Sequence, residues 1–157
     1  KFRSLVQDAE RIGAASTSSV DHRLTRVGRY IRKFKLDEIS QLINVLAGDM
    51  SIVGPRPEVQ KFVDKYTEEE KRIVSVRPGI TDWSSIRFHN EGEIIEASGI
   101  PDADEAYEKL IRPEKLRLQL KYVRERSLWV DLKIVASTVM TLFSTRLGGK
   151  RAGVPET

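Results

Sequence analysis

Cysteine is absent from the sequence, which excludes disulfide bonds, thiolate nucleophiles and cysteine-based zinc sites. Long apolar runs are absent too, since none approaches the roughly 18 residues of a membrane-spanning helix. The two histidines, His22 and His89, lie too far apart in the sequence to indicate a metal site. The sequence has no signal peptide and begins with Lys1 rather than Met, so we expect the natural protein to start further upstream.

The composition is that of one ordinary globular domain: of 157 residues, 39% are hydrophobic and 32% charged. The net charge is +4 and the pI about 9.4, which suits anionic partners such as phosphates, nucleic acid or an anionic membrane. Positive charge is concentrated in residues 21–35, whereas residues 91–108 are strongly acidic. One end of the domain is therefore expected to present a positive potential.

Apolar periodicity predicts mostly helical structure with a few short strands. The predicted helices cover residues 24–34, 36–46, 58–74, 106–126 and 128–143. Pro113 is acceptable only at a break or in a first turn, and a short strand precedes "GPRP" at residues 54–57. We therefore predict an α+β fold: a mainly helical, irregular single domain over residues 1–147, followed by a disordered tail over 148–157. The last helix is apolar, with a tryptophan and flanking arginines, and is typical of an amphipathic helix at a membrane interface.

Asp37 and Glu38 stand side by side at the start of the second predicted helix. Acids in a first helical turn commonly serve as a cap and complement the helix dipole. However, Arg32 and the rest of the basic stretch precede them, so the same pair suits phosphoryl chemistry. One carboxylate would attack phosphorus, and the other would hold Mg²⁺ against the phosphate oxygens.

Two arginines lie in stiff turns, Arg56 in "GPRP" and Arg77 in "VRPG". Each could be an ordinary exposed turn residue. Alternatively, the prolines fix the backbone in advance, so that a guanidinium loses little freedom when it binds a phosphate. Two such units together indicate a phosphate site better than either does alone.

Four ordered blocks resemble the bacterial sugar transferase family, the monotopic polyprenyl-phosphate phosphoglycosyl transferases. They are "KFRS" (1–4), "DHRLTRVGRYIRKFKLDEISQLINVLAGDMSIVGPRPE" (21–58), "VRPGIT" (76–81) and "YVRERSLWVDLKI" (122–134). The resemblance covers nearly everything from residue 1 to about residue 147.

The resemblance implies a Mg²⁺-dependent enzyme on the cytoplasmic face of the bacterial inner membrane that begins glycan synthesis. Asp37 would attack a UDP-sugar to form an aspartyl-phosphosugar and release UMP, and Glu38 would bind Mg²⁺. A polyprenol phosphate, such as undecaprenyl phosphate, would then accept the phospho-sugar. Phosphate-binding roles would fall to four arginines: Arg3, Arg32, Arg56 and Arg77. Contact with one leaflet of the inner membrane is also implied, nucleic acid is not an expected partner, and a homodimer is left open.

Two features depart from the family pattern. Family members carry an apolar re-entrant helix ahead of "KFRS", which this sequence lacks. Many also read "PGITG", whereas Asp82 stands here in place of the last glycine. Because the segment after it is expected near the sugar or nucleotide, the identity of the sugar stays open.

Two other hypotheses compete with this one. A non-catalytic basic module that binds nucleic acid or anionic lipid would show steep salt dependence and no preference among nucleotide sugars. A phosphatase-like enzyme with an aspartate nucleophile would release inorganic phosphate rather than UMP.

Overall fold

The computed structural model describes residues 24–33, 41–56 and 58–146. Eight α-helices and two strands are found in these ranges, together with a 3-10 helix at Glu70–Ser75. The helices are α1 (Arg26–Lys33), α2 (Gln41–Ala47), α3 (Gln60–Val63), α4 (Trp83–Arg87), α5 (Glu91–Ala97), α6 (Ala103–Leu110), α7 (Arg112–Glu125) and α8 (Leu128–Arg146); the strands are β1 (Ser51–Val53) and β2 (Gly79–Thr81). The predicted α+β class, mainly helical with a few short strands, is confirmed. The predicted tail at 148–157 lies outside the described residues.

The described residues fall into two compact units. The first takes its described residues from Lys1–Met50 and Asn90–Glu114 and contains α1, α2, α5 and α6. Helices α5 and α6 pack against each other, and the N-cap of α6 is Asp102, whose side chain accepts the Asp104 N–H at 2.9 Å. Helix α2 ends at Ala47 and is followed by Gly48, whose φ of 85° is a conformation that glycine adopts without strain.

The second unit combines Ser51–His89 with Lys115–Thr157, again as far as these are described. Strands β1 and β2 pair in parallel, with Ser51 opposite Gly79 and Val53 opposite Thr81. One apolar cluster joins this sheet to the long helices through three buried residues, Val53, Tyr122 and Ile134. A second cluster buries Tyr66, Ile73 and Leu116.

The long helix predicted at 106–126 is divided in two, as Pro113 required. Helix α6 ends at Leu110 and α7 begins at Arg112, so that Pro113 falls in the first turn. At that position its missing N–H breaks no helical hydrogen bond. The last predicted helix is confirmed and extends three residues further, to Arg146.

The single helix predicted at 58–74 is wrong. Helix α3 ends at Val63, and a separate 3-10 helix begins at Glu70. The reason is a reciprocal cap: the Thr67 N–H donates to Glu70 Oε2 at 2.7 Å, and the Glu70 N–H donates to Thr67 Oγ1 at 3.3 Å. This capping box starts a new helical segment inside the charged run.

Candidate functional site around the GPRP loop

The structure describes part of the predicted site. Arg56 and Arg77 are described, and the backbone of Arg32 lies in α1, although its side chain falls outside the described part. Three further predicted site residues lie outside the described residues: Arg3, Asp37 and Glu38. Their roles therefore stay predictions.

The two arginine-bearing turns are in direct backbone contact. The Gly54 N–H donates to the Thr81 carbonyl at 3.0 Å, and the Gly79 N–H donates to the Pro55 carbonyl at 3.1 Å. A Cβ added to Gly54 would lie 2.7 Å from the Arg77 carbonyl oxygen and 2.9 Å from the Gly79 nitrogen. Glycine is required here because any side chain would separate the two turns. The structure thus brings together the backbones of the "GPRP" and "VRPG" units.

Arg56 is half-buried and Arg77 is exposed. The backbone of Arg56 is held on both sides of its Cα. Its N–H donates to Asp82 Oδ2 at 3.4 Å, and its carbonyl accepts from Gln119 Nε2 at 3.2 Å. The Arg56 backbone is therefore attached to two residues far away in the sequence.

Asp82 is fully buried and begins α4 as its N-cap, accepting the Ser85 N–H at 2.6 Å. Ser84 Oγ lies 2.8 Å from both carboxylate oxygens, and Gln119 Nε2 donates to Oδ2 at 3.3 Å. These donors, with the Arg56 N–H, replace the hydrogen bonds to water that the Asp82 carboxylate loses on burial. The residue that departs from the family pattern thus supports the "GPRP" loop from inside the protein.

Gln119 is also fully buried. Its Nε2 serves two acceptors, Asp82 and the Arg56 carbonyl, whereas its Oε1 has no hydrogen-bond partner within the part of the chain that the structure describes. A buried acceptor without a partner costs about 1–3 kcal/mol. The two hydrogen bonds that Nε2 donates therefore explain why a glutamine is buried at this position.

Glu58 anchors the other side of the loop. Its side chain is 1% exposed, and Lys115 Nζ lies 3.4 Å from Oε1. The Tyr66 hydroxyl donates to Oε2 at 3.2 Å. A buried carboxylate held by a cation and a hydroxyl fixes the chain just after the second proline of "GPRP".

Helix α7 supplies these contacts from one face. Lys115 meets Glu58, Gln119 meets Arg56, and the Tyr122 hydroxyl lies 3.3 Å from the Val53 carbonyl oxygen. The contacts run in opposite order along the two segments, so α7 lies antiparallel to residues 53–58. We call this face, Lys115, Gln119 and Tyr122, the α7 brace.

The Tyr122 hydroxyl also donates to Asp131 Oδ1 at 2.9 Å, which ties α7 to α8. Burial raises the pKa of Tyr122 to about 12, and the hydrogen bond to Asp131 adds to the shift because it favours the protonated phenol. Tyr122 therefore keeps its proton, and its hydrogen bond, at ordinary pH.

Sequence reasoning missed the α7 brace. Its signal was a helix with polar residues one turn apart among leucines, at 115, 119 and 122. This pattern can be seen in the sequence, but the residues of the "GPRP" loop that the brace contacts cannot be inferred from it, because Gln119 and Arg56 stand 63 positions apart.

Helix α8 buries one side and exposes the other. Ile134 is fully buried against the sheet, and Thr138 Oγ1 hydrogen-bonds Thr81 Oγ1 at 2.8 Å. Trp129 is 76% exposed. We call the exposed apolar side chains of this helix the α8 apolar face: Leu128, Trp129, Leu132, Val135, Val139, Met140, Leu142 and Phe143. A helix that exposes this many large apolar side chains often marks a contact with a partner or a membrane.

The described ranges contain neither a membrane-spanning helix nor a preformed cluster of metal-binding side chains. Neither α8 nor any other helix there is long and apolar enough to cross a membrane. In the same ranges, no three His, Cys, Asp or Glu side chains are grouped as they would be around a metal ion.

Comparison with known proteins gave consistent matches. Residues 1–145 match the family described as bacterial sugar transferase. A UDP-N-acetylgalactosamine-undecaprenyl-phosphate N-acetylgalactosaminephosphotransferase of Aeromonas hydrophila is 38% identical, covering 92% of this chain and 31% of that protein. A UDP-glucose:undecaprenyl-phosphate glucose-1-phosphate transferase of Escherichia coli K12 is 37% identical, covering 91% of this chain and 29% of that protein. An undecaprenyl-phosphate glucose phosphotransferase of Komagataeibacter xylinus is 37% identical, covering 88% and 25%. The chain therefore spans less than a third of the length of these relatives.

Proposed function

Because the chain belongs to the bacterial sugar transferase family, we propose that it transfers a phospho-sugar from a UDP-sugar to undecaprenyl phosphate and releases UMP. The observation that supports this most strongly is the match over residues 1–145, which contains both the Asp37–Glu38 pair and the "GPRP" loop. The relatives above carry names that specify this kind of reaction.

The proposed chemistry has two displacements at one phosphorus atom. The Asp37 carboxylate attacks the β-phosphorus of the UDP-sugar, the bond to the bridging oxygen breaks, and UMP leaves with that oxygen. A phosphate oxygen of undecaprenyl phosphate then attacks the aspartyl-phosphosugar. This step forms the new diphosphate and returns Asp37 to its free carboxylate.

Charge neutralisation is assigned to the arginines and to Glu38. Adjacent carboxylates are suitable oxygen donors for Mg²⁺, so Glu38 would hold the ion, which would neutralise phosphate oxygens when bound. Arg56 has both its backbone N–H and its carbonyl hydrogen-bonded, and a guanidinium carried on a restrained backbone loses less freedom when it binds a phosphate. Arg77, on the adjoining turn, and Arg3 and Arg32 complete the proposed phosphate-binding set.

The proposed location is the cytoplasmic face of the bacterial inner membrane. Support comes from the α8 apolar face, since exposed tryptophan and phenylalanine on a helix of this length suit an orientation along the interface. Such contact would bring the catalytic domain to the surface where its lipid acceptor resides.

The test is UMP release by the natural full-length protein in membranes, from a panel of UDP-sugars, with and without undecaprenyl phosphate. The proposal expects one preferred sugar, lipid-dependent turnover, and a loss of about a hundredfold or more for Arg56→Ala. Arg72→Ala, which removes an exposed arginine from the 3-10 helix of the same unit, is the control and should retain activity. Release of inorganic phosphate, or binding without turnover, would contradict the proposal.

A further inference from the structure

We propose that Gln119 and Asp82 are positioning residues that set the direction of the Arg56 Cα–Cβ bond through the backbone of the "GPRP" loop, and so the region that its guanidinium can reach. This inference rests on the proposed phosphate-binding role of Arg56. Neither residue would touch the substrate, because both side chains are fully buried.

The geometry fixes both backbone torsions of Arg56. Its N–H belongs to the peptide unit shared with Pro55, and its carbonyl to the unit shared with Pro57. Asp82 Oδ2 holds the first at 3.4 Å and Gln119 Nε2 holds the second at 3.2 Å. With a peptide unit held on each side of the Cα, a change of φ or ψ would break one of these hydrogen bonds, and the direction of the Cα–Cβ bond is thereby restrained.

The two holding residues are themselves joined. Gln119 Nε2 donates to Asp82 Oδ2 at 3.3 Å, so one amide nitrogen connects the carboxylate to the Arg56 carbonyl. Asp82 is fixed in turn by the Ser85 N–H and by Ser84 Oγ at the start of α4. The three residues thus form a closed ring of contacts: Asp82, Gln119 and Arg56.

The flanking prolines explain why such a ring is useful. Proline lacks an N–H, so Pro55 and Pro57 donate no backbone hydrogen bond, and the donated contacts of the loop come from the N–H groups of Gly54 and Arg56. Pro57 also restricts Arg56 to extended conformations, which narrows the torsions but does not select one. The polar ring supplies the remaining restraint.

Loss of the ring should therefore appear as a loss of Arg56 function. In Gln119→Met, a side chain of similar length and flexibility removes the donor to the Arg56 carbonyl. We expect a roughly ten- to hundredfold fall in kcat/KM for the UDP-sugar, because a displacement of about 1 Å in a charge-stabilising group has effects of that size.

The decisive test is a double-mutant cycle in the full-length enzyme with Gln119→Met, Arg56→Ala and the pair of substitutions. If Gln119 acts through Arg56, the double variant should match Arg56→Ala within about twofold, since the positioned group is already gone. The loss of kcat/KM in Gln119→Met should also consist of a change in kcat and a change in KM in the same proportion as in Arg56→Ala. Equal, independent losses that multiply in the double variant would overturn the proposal.

Tyr122→Phe is the matched control, because it removes a buried hydrogen bond from the same α7 face without touching Arg56. Its effect on kcat/KM, whatever its size, should multiply with that of Arg56→Ala. Asp82→Asn allows an independent double-mutant cycle with Arg56→Ala. The asparagine keeps an oxygen that accepts the Ser85 N–H, but its NH₂ group replaces the oxygen that accepted from Gln119 and from the Arg56 N–H. Thermal unfolding verifies that each variant is folded.

Failure of the underlying proposal is distinguishable. If Arg56→Ala turns over at the wild-type rate, the phosphate-binding role of Arg56 is wrong and the positioning inference falls with it. If Arg56→Ala is impaired while Gln119→Met and Asp82→Asn are as active as wild type, only the positioning inference is overturned.

Discussion

Glu58 and Lys115 form an ion pair almost completely removed from water: Lys115 Nζ lies 3.4 Å from Glu58 Oε1, the Glu58 side chain is 1% exposed and the Lys115 side chain 12%. The pair joins the end of the "GPRP" loop to the first turns of α7. By contrast, the Lys71–Glu68 pair at 2.6 Å is shorter but largely exposed. Burial, rather than distance, decides which pair matters for stability.

Lys115→Met should lower the free energy of unfolding by about 1.5–3 kcal/mol, because it removes a charged partner from the buried Glu58 carboxylate. Lys71→Met, the matched exposed control, should cost no more than about 1 kcal/mol. Urea unfolding followed by circular dichroism measures both. Equal losses for the two variants would contradict the assigned role of the buried pair.

Tyr122→Phe should cost about 1 kcal/mol near neutral pH, since it removes the hydrogen bond to Asp131. The pKa of Tyr122 rises from 10.0 to about 12 on folding, so its contribution is fully present below about pH 10 and is lost as the pH rises toward 12. The difference in unfolding free energy between wild type and variant should therefore be smaller at pH 11 than at pH 8. A difference that grows with pH would be inconsistent with a protonated, buried phenol.

Gly54→Ala should destabilise the protein by about 1–3 kcal/mol or more, because the added carbon meets the backbone of Arg77 and Gly79, which cannot rotate away. The same substitution should lower turnover, since it separates the two arginine-bearing turns. Ile52→Val, an exposed neighbour on β1, should change stability by no more than about 0.5 kcal/mol. Unaltered thermal unfolding of Gly54→Ala would show that the turns are not in close contact.

Replacement of Trp129 and Phe143 by glutamate should weaken binding to vesicles of anionic phospholipid by tenfold or more, given about 25 cal/mol per Å² of apolar area. Both residues belong to the α8 apolar face. The control is a double variant of Val74 and Val59, which lie exposed on other elements of the same unit and receive the same two charges. Equal weakening in both double variants would mean that charge alone, and not the α8 apolar face, governs membrane binding.

Local signals accounted for much of the fold. Pro113 correctly predicted a break or first turn, and the apolar run from 128 onward correctly predicted the last helix. The capping box at Thr67 and Glu70 was equally local but was overridden in the prediction by the charged helical pattern around it. The N-cap at Asp82 was likewise not predicted, because the residues before it favour β-structure rather than the start of a helix.

The support of the site could not be predicted in the same way. The role of Gln119 depends on two hydrogen-bond acceptors, the Arg56 carbonyl and Asp82, which lie next to it only after the sheet, α4 and α7 have packed. Residue types in the "GPRP" loop predict that Arg56 binds a phosphate, and this stays a prediction, but only the fold shows what holds its backbone. Sequence patterns therefore proposed groups for chemistry, whereas the groups that hold the loop became visible only in the folded structure.

The most direct test of the central claim is isotope exchange. Full-length enzyme in membranes is incubated with its UDP-sugar and radiolabelled UMP, without undecaprenyl phosphate. A covalent aspartyl-phosphosugar predicts that label enters the UDP-sugar, because UMP attacks the intermediate and regenerates the donor, and that Asp37→Asn abolishes this exchange. An enzyme that turns over with lipid yet shows no exchange without it, or an Asp37→Asn variant that exchanges at the wild-type rate, would contradict the account.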